Sequence, residues 1–224
     1  MKPSKNKNRQ GKFLILVGIS LLLIGAAIPV KVHFKNVRQK KAAMALEDAM
    51  LKAAEKDKAA KAAQAAKSAK GGQEPANAPQ EDAITYENAL GVIRIDKIGV
   101  VLPIFDNTSK KNLLLGAGVV KTTDPPSRSK NTITVLAGHR GSGKGLDYFL
   151  HIGKLEPGDE IKITTHKQVL YYQVMGDEVV EPNDWSRFIR EEDKTKLYLM
   201  SCHPYPKNNK RLLVKSELVG VRDL

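Results

Sequence analysis

Hydrophobic and polar positions divide this chain into three textures. Phe13 to Val30 is an uncharged apolar run, near the lower limit for crossing a bilayer as a helix. Residues 38–70 are rich in Ala, Lys, Glu and Gln and contain no Gly or Pro, a composition that favours helix. From about Thr85 onward, short β-runs alternate with turn signals.

The β-runs are expected at Val92–Ile95, Val100–Phe105, Ala117–Val120, Thr132–Ala137, Glu160–Thr165, Gln168–Val180, Lys196–Ser201 and Arg211–Val219. Ser109 to Leu115 reads as a short helix with Ser109 as its cap, and Leu146 to Ile152 as a second. Glu156-Pro157-Gly158-Asp159 reads as a tight turn. Many short strands with few helices predict a mainly β domain, a closed or nearly closed barrel over residues 85–224.

The two segments before it have separate expected roles. The 38–70 stretch carries only Met44, Leu46, Met50 and Leu51 as large apolar residues, too few for a coiled-coil seam. It therefore reads as a solvated helical stalk, stopped by Gly71-Gly72. Gln73 to Asp82, with Pro75 and Pro79, reads as a flexible linker. Stalk and linker together span 31–84. The 13–30 run reads as an uncleaved transmembrane anchor behind a basic tail at 1–12. A cleaved signal peptide is the alternative, since Gly25-Ala26-Ala27 offers small residues.

Charge sharpens this picture. The net charge is +13, yet residues 1–41 hold ten Lys and Arg and no acid, while the rest of the chain is close to balanced. The excess flanks the apolar run, which points to anionic lipid headgroups and away from nucleic acid. Lysines and arginines stand on both sides of the run, so charge alone does not orient it.

The chain has one cysteine, Cys202, which excludes an intramolecular disulfide. It closes one expected strand, just before His203-Pro204-Tyr205-Pro206 breaks it. His139 stands in the same position after Thr132–Ala137, and Arg211 opens the last strand. A cysteine nucleophile needs a base or thiolate, a proton donor for the leaving group, and positive charge facing the oxyanion. Cys202, His139 and Arg211 supply these if the fold brings them together. The alternative is that Cys202 is an inert packing residue and that His139 and Arg211 are structural or surface groups. His33, His151, His166 and His203 are read as structural or solvent-facing. His203 adjoins the thiol, but on an extended backbone its side chain points to the other side. No paired-ligand spacing suggests a metal.

Val135-Leu136-Ala137-Gly138-His139-Arg140-Gly141, Leu199-Met200-Ser201-Cys202 and Arg211-Leu212-Leu213-Val214 resemble the motifs of sortases, membrane-anchored cysteine transpeptidases of Gram-positive bacteria. Asn112 to Gly118 and Leu155 to Asp159 support the resemblance, which runs from about Gly91 to the end of the chain. It implies an eight-stranded barrel outside the membrane, with the N-terminus in the cytoplasm. It implies that Cys202 attacks the Thr–Gly carbonyl of an LPXTG-like sorting signal, that His139 exchanges protons with the leaving and incoming amines, and that Arg211 steadies the oxyanion or substrate backbone. It places Ser201, Leu199 and Ala137 beside the substrate. The partners it implies are LPXTG-type surface proteins or pilins, with a peptidoglycan precursor or a pilin lysine as amine acceptor. It requires no cofactor or metal. Some relatives bind calcium through a loop in which this chain has Glu181, Asp184, Glu191, Glu192 and Asp193, read here as solvated.

The family pattern before the cysteine is Thr-Leu-x-Thr-Cys, where this chain has Tyr198-Leu199-Met200-Ser201-Cys202. His139-Arg140-Gly141 and the residues after Cys202 look like the pilin-polymerising group. That group usually carries a lid with an Asp-Pro-aromatic motif, which is not found between Gly71 and Glu87, and often a second membrane segment near the C-terminus, which the sequence does not show. The layout reads as surface-protein anchoring, with pilus assembly as the alternative. A tethered barrel that only binds, and a plain thiol protease, are the readings from other classes.

Overall fold

The computed structural model describes residues 16–18, 20, 34–59, 86, 88–141 and 148–224. Most of the apolar run at 13–30, the end of the expected stalk with its Gly71-Gly72 stop, and the whole expected linker lie outside the described residues. Among those described, no helix is long and apolar enough to cross a membrane.

Eight described strands close into one barrel. In chain order they are β1 (Ala89–Ile95), β2 (Val100–Phe105), β3 (Ala117–Val119), β4 (Thr132–Ala137), β5 (Glu160–Thr165), β6 (Gln168–Val180), β7 (Thr195–His203) and β8 (Lys210–Asp223). Around the barrel they run β1-β2-β3-β4-β7-β8-β6-β5, and β5 pairs with β1 to close the ring. The β2–β3 and β4–β7 pairs are parallel and the others antiparallel.

Alternation along each strand sends every second side chain inward. Ile93, Ile104, Leu136, Ile163, Leu197 and Val214 meet there in the main core. Each such side chain, fully buried, contributes about 1.5–3 kcal/mol of transfer free energy. The β1 sequence ALGVIRI is apolar on both faces for a reason outside the barrel: Val92 is covered by a helix.

That helix, α1, spans 34–59 and corrects the expectation of a solvated stalk. Gln39, Ala43, Glu47, Met50 and Ala54 are buried on one of its faces, at helical spacing. Ala43 packs with Tyr86, Ala89, Val92, Val101 and Phe105 on the outer surface of β1 and β2. Small alanines let the helix approach closely, and Leu46 and Met50 are the few large apolar residues on or beside the docking face.

Glu47 is only 2% exposed. Its Oε2 accepts from Arg94 Nε at 3.0 Å and also from Arg94 Nη2. Its Oε1 lies 3.0 Å from Lys162 Nζ and accepts from Thr164 Oγ1 at 3.0 Å. Arg94 and Lys162 are direct partners across β1 and β5, so the carboxylate sits between two neighbouring cations.

The short helix α2 (Lys110–Leu113) forms where expected, with Ser109 Oγ accepting from Asn112 N at 3.3 Å as its cap. The expected helix at Leu146–Ile152 does not form over its described part. Residues 148–151 are turns, followed by a 3₁₀ turn at Ile152–Lys154.

Candidate active site

The site lies where β4, β7 and β8 end side by side. Cys202 and Arg211 are direct partners in the β7–β8 ladder. On the other side, Ala137 of β4 is level with Met200 of β7, and Gly138 N donates to Met200 O at 3.0 Å. His139 comes two residues after Ala137, just past the end of β4. Imidazole, thiol and guanidinium therefore lie at, or just past, the ends of three adjacent strands.

Alternation gives their direction. Leu197 and Leu199 belong to the barrel core, so Tyr198, Met200 and Cys202 face outward. Cys202, His139 and Arg211 are each half-buried. Arg211 Nη1 donates to Asn208 O at 3.3 Å and Lys210 O at 2.9 Å. None of the three site side chains hydrogen-bonds another.

His139 is held from two sides. Its carbonyl accepts from Phe149 N at 2.9 Å, and its ring meets Tyr148 edge-on. Gly138 permits this approach: a Cβ there would lie 2.6 Å from Phe149 Cδ2, a ring that is itself fully buried.

The same alternation corrects two of the expected substrate contacts. Leu199 is fully buried in the barrel core and Ser201 is 3% exposed on the same inward face. Neither reaches the outer surface where the thiol lies. Ala137 does face outward, in an apolar cluster with Ile133, Val135, Tyr198, Met200 and Phe188 that runs along β4 and β7 toward Cys202. Phe188 stacks edge-on against Tyr198 at 6.4 Å and Trp185 at 5.6 Å. Tyr198, the departure from the family pattern, thus forms part of the floor of this cluster. Burial, with Glu191 and Glu178 nearby, pushes its phenol up.

The loop between β6 and β7 carries Trp185 and Phe188 and is tied down by ion pairs. Arg190 grips Asp124 with two bonds, Nε to Oδ2 at 3.0 Å and Nη2 to Oδ1 at 2.9 Å. Four of the five acids weighed as calcium ligands face cations: Glu181 meets Lys210, Asp184 meets Arg187, Glu191 meets Lys194 and Lys196, and Asp193 meets Lys130. No cluster able to hold a metal occurs among the described residues.

The sequence reading missed Arg140. Its Nη1 donates to Cys202 O at 3.2 Å and lies 2.8 Å from His203 Nδ1. Its place in the His139-Arg140-Gly141 motif was the available signal.

A closed barrel with an outward cysteine at a strand end, flanked on neighbouring strands by histidine and arginine, defines the class: a cysteine-centred β-barrel. Comparison with known proteins narrows it. The family model described as "Sortase domain" matches residues 93–219. The chain is 31% identical over 149 residues to the Sortase A of Bacillus anthracis, covering 66% of this chain and 67% of that protein. It is 30% identical over 117 residues to the Sortase D of Bacillus subtilis (strain 168), covering 52% and 56%. Among solved structures, Group B Streptococcus Pilus Island 1 Sortase C2 superposes with a TM-score of 0.58 at 32% identity, covering 64% of this chain and 82% of that one. The chain belongs to the sortase family, whose members are cysteine transpeptidases.

Proposed function

We propose that this protein is a transpeptidase that cleaves an LPXTG-like sorting signal between Thr and Gly and joins the acyl part to an amine, anchoring surface proteins to the cell wall. The observation that supports the reading is the pairing of Cys202 with Arg211 across β7 and β8, with His139 just past the end of the neighbouring β4.

The chemistry follows from these three groups. The Cys202 thiolate attacks the threonine carbonyl carbon, and the oxyanion that forms is held by the Arg211 guanidinium. The C–N bond breaks as His139 gives a proton to the departing glycine amine, leaving a thioester on Cys202. An incoming amine loses its proton to His139, attacks the thioester and releases the thiolate. The outward apolar cluster of Ala137, Tyr198, Met200 and Phe188 offers a surface for the apolar part of the signal. A peptidoglycan precursor supplies the acceptor amine. The apolar run at 13–30 anchors the chain in the membrane, its basic flanks against lipid headgroups, with the N-terminus in the cytoplasm and the barrel outside.

A second reading, polymerisation of pilins through a lysine amine, is favoured by the likeness to a pilus-island sortase C2. One assay separates the readings. The full chain in detergent is given an LPXTG-type peptide with either a glycine amine or a lysine side chain as acceptor, beside Cys202→Ala. Turnover by wild type alone, with a thioester on Cys202 seen by mass spectrometry, is the expected result. Preference for the lysine acceptor favours the pilin reading. Hydrolysis unaffected by either amine indicates a plain thiol protease, and equal behaviour of Cys202→Ala overturns catalysis by this cysteine.

A further inference from the structure

The parallel ladder between β4 and β7 breaks off one rung short of the thiol. With Gly138 N bonded to Met200 O, the next rung of a parallel pair joins the backbone N–H of Arg140 to Cys202 O. The chain turns away before that rung, and His139 O, on the other edge, accepts from Phe149 N. Cys202 O is nevertheless satisfied, by the Arg140 side chain: Nη1 donates to it at 3.2 Å.

The same nitrogen lies 2.8 Å from His203 Nδ1. Arginine carries only donors, so Nδ1 accepts and the ring proton of His203 sits on Nε2. His203 thus orients the guanidinium from the far side of Cys202. Arg140 Nε, meanwhile, is buried and has no hydrogen-bond partner among the described residues. A buried, unpaired donor on a charged group is destabilising, which argues against a side chain kept for stability alone.

We propose that Arg140 is a positioning residue for the thiol–imidazole pair: its guanidinium stands in for the missing rung and fixes the strand end bearing Cys202 against the segment bearing His139. It touches the Cys202 carbonyl and not the sulfur, so it acts through the backbone. Without it the two strand ends part just where the nucleophile and its proton carrier must stay in register. This rests on the transpeptidase reading above, since a fixed Cys202–His139 separation matters only if the two groups act together.

The test uses the full chain in detergent with an LPXTG-type peptide and an amine acceptor. For Arg140→Gln, kcat is expected to fall about tenfold or more while KM stays within about twofold, because a small misplacement of reacting groups is costly in rate. Arg140→Lys keeps the charge but not the planar fork, and falls between. Arg140→Ala is expected to regain activity with added guanidinium chloride below denaturing concentrations, and not with sodium chloride. His203→Asn, which keeps an acceptor near Nδ1, is expected to lose less than His203→Leu. An unchanged kcat in Arg140→Gln overturns the proposal. So does a loss that follows a drop in Tm and that guanidinium does not relieve. If wild type itself gives no turnover, the transpeptidase reading fails, and the rate of Cys202 alkylation by iodoacetamide decides the Arg140 question. A changed rate in Arg140→Gln at unchanged Tm sustains the positioning role, and equal rates overturn it.

Discussion

The ring of Tyr148 meets the imidazole of His139 in a T, with centroids 5.8 Å apart and planes at 67°. Its hydroxyl donates to Leu114 O at 2.6 Å, and Gln39 of α1 donates to the same oxygen at 3.3 Å. The helix before the barrel and the histidine of the site are therefore linked through one carbonyl and one aromatic ring. Tyr148→Leu removes the ring and is expected to lower kcat roughly tenfold through a loosened imidazole. Tyr148→Phe keeps the ring, costs about 1 kcal/mol in stability for the lost buried bond, and retains most of kcat. Steady-state kinetics beside thermal melts distinguish the two.

Docking of α1 depends on pH through Glu47. Burial raises the affinity of this carboxyl for a proton, but bonds from Arg94, Lys162 and Thr164 and the charge of Lys162 outweigh it, holding the group below its ordinary value of 4.5. A group depressed in the folded state stabilises fully above its unfolded value, and that stability is lost as pH falls through the folded value. Glu47→Ala leaves Arg94 and Lys162 facing each other with only the exposed Asp96, 3.7 Å from Arg94 Nη1, to offset them, a loss of about 3 kcal/mol at neutral pH. Melting curves of wild type and Glu47→Gln from neutral to acid pH are expected to converge at the acid end. A gap that persists or widens there would contradict the assignment.

The two-bond grip of Arg190 on Asp124 fixes the loop that carries Phe188 and Trp185. The guanidinium is the main reason the Asp124 carboxyl lies below its usual range. Arg190→Gln frees the loop while leaving the barrel intact. KM for the peptide is expected to rise roughly three- to tenfold, with less change in the rate of Cys202 alkylation.

Ser201 carries a buried hydroxyl with no partner among the described residues. Removing an unsatisfied polar group from a buried site is neutral or favourable. Ser201→Ala is therefore expected to hold or raise stability, by up to about 1 kcal/mol, with kcat/KM unchanged. A marked fall in kcat/KM would restore Ser201 to the substrate surface.

Much of this was legible in the chain itself. Each of the eight strands was visible because alternation and turn chemistry act locally, and the pairing of Cys202 with Arg211 follows from two strands joined by a short loop. The inward direction of Leu199 and Ser201 was also within reach: if Cys202 faces out, period-2 alternation turns residues 201 and 199 in. The docking of α1 was not legible. Its buried face is built mostly from Gln39, Ala43, Glu47 and Ala54, with Met50, and looks like solvated helix until the fold brings Arg94 and Lys162 to Glu47. Arg140 escaped for a related reason, since its acceptors on β7 are distant in sequence and become neighbours only when β4 and β7 pair.

The closed ring has a consequence for how any extended polypeptide is held. Because β5 returns to β1, each described strand has a neighbour on both sides, and none offers a whole free edge for a guest chain to zip onto. A guest therefore has to be gripped through side chains and loops. Its alignment with the thiol is set by which of its own side chains fit the apolar outer cluster, so a signal shifted by one residue presents the wrong side chains and the wrong peptide bond together.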